Sequence, residues 1–160
     1  MTRTAVKTDF DYFYGLYMHP VINPFLLYEQ MSSEEFRPVF SELQEKGYLY
    51  VYQDQEGVSV GMFKLVPRQY RNSHVVYLGG LAIDPLFAGK GYARKMLQEI
   101  KVMAIQKGFT RIELTVAVLN EKAIRVYERA GFQQEGRLRN YTFLASENRF
   151  IDEVVMSCLV

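Results

Sequence analysis

The first readable chemistry lies in the stretch from Gly79 to Ala93, where Gly89, Gly91 and Ala93 make a turn nearly free of side chains. Val75 to Leu78, just before it, is an unbroken apolar run, expected of a strand buried on both faces. Asp84-Pro85 ends that strand. From Ala93 onward Met96, Leu97, Ile100, Met103 and Ala104 recur at helical spacing. A strand, a small-residue turn and a helix start expose unpaired N–H groups at the positive end of a helix dipole. A phosphate or pyrophosphate fits such a place. A connector that needs glycine only for its backbone angles accounts for the loop equally well, since short glycine patterns are weak signals. Two common phosphate loops do not fit. No Lys-Ser or Lys-Thr pair follows the last glycine, and Arg94 stands where a dinucleotide fingerprint needs Gly or Ala.

Three further side chains are candidates for proton transfer. Tyr127 lies seven residues after Asn120, two helical turns along one face, or about 10 Å. A tyrosine on an otherwise apolar stripe is ordinarily a core residue. Glu113 sits on the polar face of an alternating strand with Thr115, and hydrogen bonding to solvent explains it as readily as catalysis. His74 is a third, at the far end of the central strand. His19 and His74 are too few and too scattered for a metal centre, and the single cysteine, Cys158, allows no internal disulfide.

These residues need elements to hold them. The expected order is a short strand at Thr4–Thr8, a helix at Phe10–Met18 and a helix capped by Ser33 that ends near Gly47. Strands follow at Tyr48–Gln53, Val58–Val66 and Ser73–Ile83, with a hairpin turn at Asp54–Gly57. A helix at Ala93–Lys107, a strand at Thr110–Val118, a helix capped by Asn120 and strands at Phe132–Leu144 and Arg149–Leu159 complete the chain. Gly79-Gly80 inside the central strand marks either a twist adjustment or a bulge that frees backbone groups for a ligand. One domain, residues 1–160, is expected from the length. The class is a mixed α/β fold with a central sheet and helices on both faces.

A formal charge of +1 argues against a nucleic-acid binder that works by phosphate neutralisation. No apolar run reaches membrane-spanning length and the N-terminus has no signal-like core, so a cytoplasmic location is expected. The aromatic content, twelve Tyr and eleven Phe, is concentrated before residue 53.

The register Ala88-Gly89-Lys90-Gly91-Tyr92-Ala93 and the block Asn120, Ala123-Ile124, Tyr127 and Gly131-Phe132, followed by Glu135-Gly136, resemble the GNAT superfamily of acyl-CoA-dependent N-acetyltransferases. The closing Asp152-Glu153-Val154-Val155-Met156 resembles that family's last strand. The likeness covers roughly residues 48 to 158. Ala88 departs from it: the family usually has Gln or Arg there, so a side-chain contact is missing while the amide cradle stays. The resemblance implies a mostly antiparallel sheet splayed between two parallel strands. It implies acetyl-CoA as co-substrate, with no metal, and acetyl transfer to a primary amine of a small molecule or protein. Pantetheine would pair with Leu81, Ala82 and Ile83, and the pyrophosphate with the amides of Ala88, Gly89, Lys90, Gly91, Tyr92 and Ala93. Asn120, Ala123 and Tyr127 would meet the thiol end. Tyr127 would protonate the leaving thiolate, amides around Leu81 would stabilise the oxyanion, and Glu113 is a candidate base, acting through water. A non-catalytic acyl-CoA sensor on the same fold is the alternative. An acceptor pocket is expected from Tyr12, Tyr17, Phe25 and Tyr28 with the hairpin from Phe143 to Arg149, Glu29 holding a cationic end. A homodimer is left open.

Overall fold

The computed structural model describes all 160 residues, Met1–Val160. Seven strands form one sheet in the order β1-β2-β3-β4-β5-β7-β6. The chain runs β1 (Thr2–Thr4), α1 (Phe10–Tyr17), α2 (Ser33–Glu45), β2 (Leu49–Gln53), β3 (Ser59–Pro67), β4 (Val75–Ile83), α3 (Tyr92–Gln106), β5 (Arg111–Ala117), α4 (Glu121–Arg129), β6 (Gln133–Leu144) and β7 (Arg149–Leu159). The element order is the one the sequence predicts. Its contacts fall into two units, Met1–Leu65 with Gly80–Met96, and Val66–Gly79 with Leu97–Val160. β3, β4 and α3 each run from one unit into the other.

In the first unit β1 pairs antiparallel with β2, and β2 with β3 through Leu49–Lys64, Tyr50–Phe63, Val51–Met62 and Tyr52–Gly61. Paired residues point to the same face, so Leu49, Val51, Met62 and Lys64 share one side of the sheet. Phe10, Phe13, Leu16 and Tyr17 of α1 and Phe36 and Phe40 of α2 join Leu49, Val51, Met62 and Ala82 in one buried cluster. Tyr50 stacks on Phe63 and Tyr52 meets Tyr92 at the head of α3 on the opposite face. Both faces of this part of the sheet are thus covered.

Three local differences from the sequence reading have simple causes. The first strand is Thr2–Thr4, shifted toward the N-terminus, because Asp9 accepts from the Val6 amide and from both terminal nitrogens of Arg3, turning Lys7–Asp9 into a 3₁₀ turn. The cap of α2 is Ser32, not Ser33: its hydroxyl accepts from the Glu35 amide at 3.2 Å while Glu35 reaches back to the Ser32 amide at 2.8 Å. The aromatic surplus before residue 53 is largely core, with Phe13, Tyr17 and Phe36 no more than 2% exposed.

In the second unit β4 and β5 run parallel, in register from Val75–Arg111 to Tyr77–Glu113. β7 lies antiparallel to β5 over seven pairs, Arg111–Leu159 to Ala117–Glu153, and β6 closes the edge. Ile112, Leu114 and Val116 are buried, while Arg111, Glu113, Thr115 and Ala117 face the other way, half-buried. Asn120 caps α4 by accepting from the Ala123 amide at 3.2 Å.

Candidate active site

In the first unit the candidate groups are backbone. Gly80 has φ +56° within β4, and a Cβ there would run into the Tyr17 hydroxyl and come within 3.9 Å of Lys64 Cγ. Only glycine fits, so the irregularity expected from Gly79-Gly80 is a close approach of strand to side chains. Leu81, Ala82 and Ile83 continue the strand, Ala82 buried and its neighbours half-buried. Asp84 then caps a 3₁₀ turn, Pro85–Phe87, accepting from the Leu86 amide at 2.9 Å. Ala88, Gly89, Lys90 and Gly91 are exposed, and Tyr92 and Ala93 open α3.

Gly89 and Gly91 have φ of +77° and +79°, and no atom lies within 4 Å of a Cβ built on either. The space over the loop is open. Lys90, Arg94 and Lys95 crowd the start of α3, and no acidic residue lies in its first turn. Cations at the positive end of a helix dipole are unfavourable unless an anion joins them. The arrangement does not favour the free helix, and an anion at this end would offset it.

In the second unit the candidate groups are side chains. Tyr127 is 9% exposed and its ring tilts against Phe132 at 5.8 Å. Its hydroxyl has no hydrogen-bond partner in the protein. Burial, with a smaller effect from the nearby Tyr77, pushes its pKa up, so the phenol keeps its proton at neutral pH. Tyr77 Oη lies 3.2 Å from Thr115 Oγ1.

Glu113 is engaged elsewhere. Arg111 Nε donates to it at 3.0 Å, and Arg68 Nη2 lies 3.5 Å from its other oxygen. Arg111 also donates to Glu135, which takes a bond from the Ser157 hydroxyl at 2.6 Å. The Arg111 and Ser157 bonds hold the Glu135 carboxyl down at about 2. Glu113 thus belongs to a network that ties β5 to β6 and β7, with both oxygens facing guanidinium groups. His74 is exposed just before β4. The Asn120 side chain is spent on its cap. Phe25 and Phe143 are half-exposed, Tyr17 is buried, and Glu29 is half-buried. No group of three His, Cys, Asp or Glu side chains is placed to hold a metal ion.

The profile of the Acetyltransferase (GNAT) family matches residues 11–132, most of the chain. The chain belongs to the GNAT acetyltransferase family. Its GNAT relatives include the spermidine N(1)-acetyltransferase of Vibrio cholerae, 31% identical over 100 residues, 59% of this chain and 54% of that one. The L-amino acid N-acetyltransferase AaaT of Escherichia coli is 33% identical over 93 residues, 58% of this chain and 56% of that one. The chain spans about half the length of the curated relatives it matches. Among solved structures, a spermidine N-acetyltransferase of Vibrio cholerae in complex with CoA and spermine superposes with a TM-score of 0.87 at 24% identity, covering 99% of this chain and 94% of that one. That likeness establishes the GNAT fold. The GNAT profile begins at residue 11, earlier than the motif resemblance at residue 48, so α1 and α2 belong to the family pattern.

Two polar groups of this GNAT chain are unpaired in a way the sequence does not signal. Lys64 is 7% exposed on β3, and the Tyr12 hydroxyl on α1 is sealed from water without a hydrogen-bond partner. Lys64 sits between Phe63 and Leu65, and only the fold shows that its surroundings and those of the Tyr12 hydroxyl offer no hydrogen-bond partner.

Proposed function

We propose that this chain is an acetyl-CoA-dependent N-acetyltransferase that moves the acetyl group to a primary amine by direct attack. The observation that carries the reading is Tyr127, a buried tyrosine on α4 whose hydroxyl has no hydrogen-bond partner in the protein. Pantetheine pairs with the backbone of Leu81, Ala82 and Ile83. The pyrophosphate rests on the amides from Ala88 to Ala93, where three cations await an anion. Asn120 and Ala123 hold the start of α4, which presents Tyr127 one turn later.

The amine lone pair attacks the thioester carbonyl carbon. Negative charge builds on the carbonyl oxygen, and amides on β4 around Leu81 stabilise it. The C–N bond forms, the C–S bond breaks, and its electron pair goes to sulfur, which takes the Tyr127 proton. The amine gives up its own proton on the way to the amide, and solvent restores the phenol. The role of base falls to Glu113 through water only if an arginine lets go of it. The named acceptors of the relatives, spermidine for one and L-amino acids for another, leave the acceptor class to this chain's own residues.

The test is thiol release from acetyl-CoA with a panel of amines, run with the wild type and Tyr127→Phe. Turnover in the variant falls by about 10²–10⁴-fold, while the Kd for acetyl-CoA holds. Full activity in Tyr127→Phe removes the phenol from the mechanism, and acetyl-CoA binding without thiol release for any amine favours a sensor.

A further inference from the structure

Lys64 is a lysine in a place where lysines are rare. It lies in mid-strand on β3, 7% exposed, on the sheet face that α1 and α2 cover. Its ammonium lies 5.5 Å from the Tyr28 ring centroid, a cation–π contact. It forms no hydrogen bond or ion pair with any protein group. A buried ammonium has three donors, and an aromatic face satisfies none of them. Only the Tyr12 hydroxyl is both sealed from water and unpartnered, so the Lys64 ammonium keeps an opening. Burial also lowers the Lys64 pKa, as expected of a cation short of a counter-charge.

The surroundings of that opening are fixed. Asn23, itself buried, donates to the Tyr17 carbonyl at 2.8 Å and to the Tyr28 carbonyl at 2.9 Å. The two rings meet at 5.5 Å. Tyr17 is also the residue whose hydroxyl a Gly80 Cβ would strike, and Lys64 is the next side chain there. Lys64, Tyr17 and Tyr28 therefore stand beside the strand irregularity that the mechanism gives to the acetyl carbonyl.

We propose that Lys64 anchors a carboxylate on the acceptor, so that the substrates are amino acids and other small amines bearing a carboxylate. This rests on the acetyltransferase reading above and names its substrate class. One ammonium among aromatic walls matches one negative charge, whereas a phosphate dianion would call for an arginine fork or several donors. A polyamine would bring its second ammonium against an uncompensated buried cation, a like-charge contact in a desolvated site.

The test compares matched pairs that differ only by the carboxylate: L-phenylalanine with phenethylamine and L-methionine with 3-(methylthio)propylamine, spermidine being the polycation. Thiol release gives kcat/KM, and calorimetry gives the Kd for acetyl-CoA, for the wild type and for Lys64→Met. The wild type favours the amino acid in at least one pair by about 10²-fold, with spermidine poorer still. Lys64→Met brings that ratio to within a few fold and leaves the Kd for acetyl-CoA unchanged. If the variant fails to fold, the wild-type ratios alone decide. Equal or better turnover of the decarboxylated members and of spermidine overturns the inference while leaving the acetyltransferase reading intact. An equal loss on both members of each pair in Lys64→Met also overturns it, since it marks a lysine that accepts protons rather than one that holds a carboxylate. No thiol release with any amine overturns both readings.

Discussion

Tyr127 was expected as the acid and Glu113 as a candidate base, and their surroundings differ sharply. The Tyr127 hydroxyl has nothing in the protein to donate to, while Glu113 is held between Arg111 and Arg68. A phenol that assists the leaving sulfur matters less when that sulfur is already a good leaving group. The loss in Tyr127→Phe is therefore smaller with an acyl donor whose thiol is more acidic, as paired kcat measurements on the two donors will read. Glu113→Gln should cost stability more than turnover. It leaves Arg111 to Glu135 alone and lowers ΔG of unfolding by about 1 kcal/mol, with kcat within a few fold of wild type. A loss beyond 10²-fold with unchanged stability would return Glu113 to the role of base. The place of Tyr127 on α4 was legible because its spacing from Asn120 and Gly131 is local. The Glu113 network was not, because Arg68 and Glu135 reach it from other strands. Lys64 reads in sequence as an ordinary strand residue between Phe63 and Leu65, and only α1 and α2 make it unusual.

Elements carry the next level of the argument. The turn ahead of α3 was visible as glycines, and its backbone angles give them their reason. Gly91 at φ +79° tolerates a branched side chain poorly, and the open space above it is where an anion would come. Gly91→Val costs about 1–2 kcal/mol of stability from the left-handed backbone alone. The Kd for CoA rises well beyond that strain, which calorimetry on the folded variant will show. Gly91→Ala, with similar strain and less bulk, separates the two effects. At the other end of the first unit, Arg3 and the Val6 amide hold Asp9 in its ionised form. The Arg3 bond is the larger cause, and together they set its pKa below the usual carboxylate value. A depressed folded pKa stabilises the protein above the unfolded value near pH 4 and loses that contribution as pH falls through the folded value. Asp9→Asn should destabilise by about 1–2 kcal/mol at pH 7. Its melting temperature should then fall less steeply below pH 4 than that of the wild type. Parallel acid titrations of Tm would check it.

At the scale of the whole chain, the order of elements along the sequence was readable from alternation, caps and turns, because each of these signals is local. The order of strands in the sheet was not. β7 lies between β5 and β6, a pairing that joins Arg111 to Leu159 across most of the second unit. Such placements are decided by which apolar faces meet, not by any residue's neighbours. The family implied the parallel contact of β4 with β5, and the register from Val75 to Tyr77 supplies it. Binding gives a prediction for the whole molecule. Acetyl-CoA at 100 times its Kd adds about 2.7 kcal/mol to stability, a rise in Tm of roughly 5–10 °C for a chain this size. NAD and ATP at the same concentration should leave the Tm in place, and a shift with either would point to a different ligand class. The segment between α1 and α2 has a consequence of another kind. Asn23 clasps Tyr17 to Tyr28, Gln30 donates back to the Met18 carbonyl at 3.0 Å, and the Tyr14 hydroxyl donates to the Met31 carbonyl at 3.1 Å. A loop fastened by its own side chains behaves as an exchangeable cartridge. If the acceptor binds beside Tyr17 and Tyr28 as proposed, changes at the loop's other positions could trade one acceptor for another while the glycine turn and Tyr127 stay as they are.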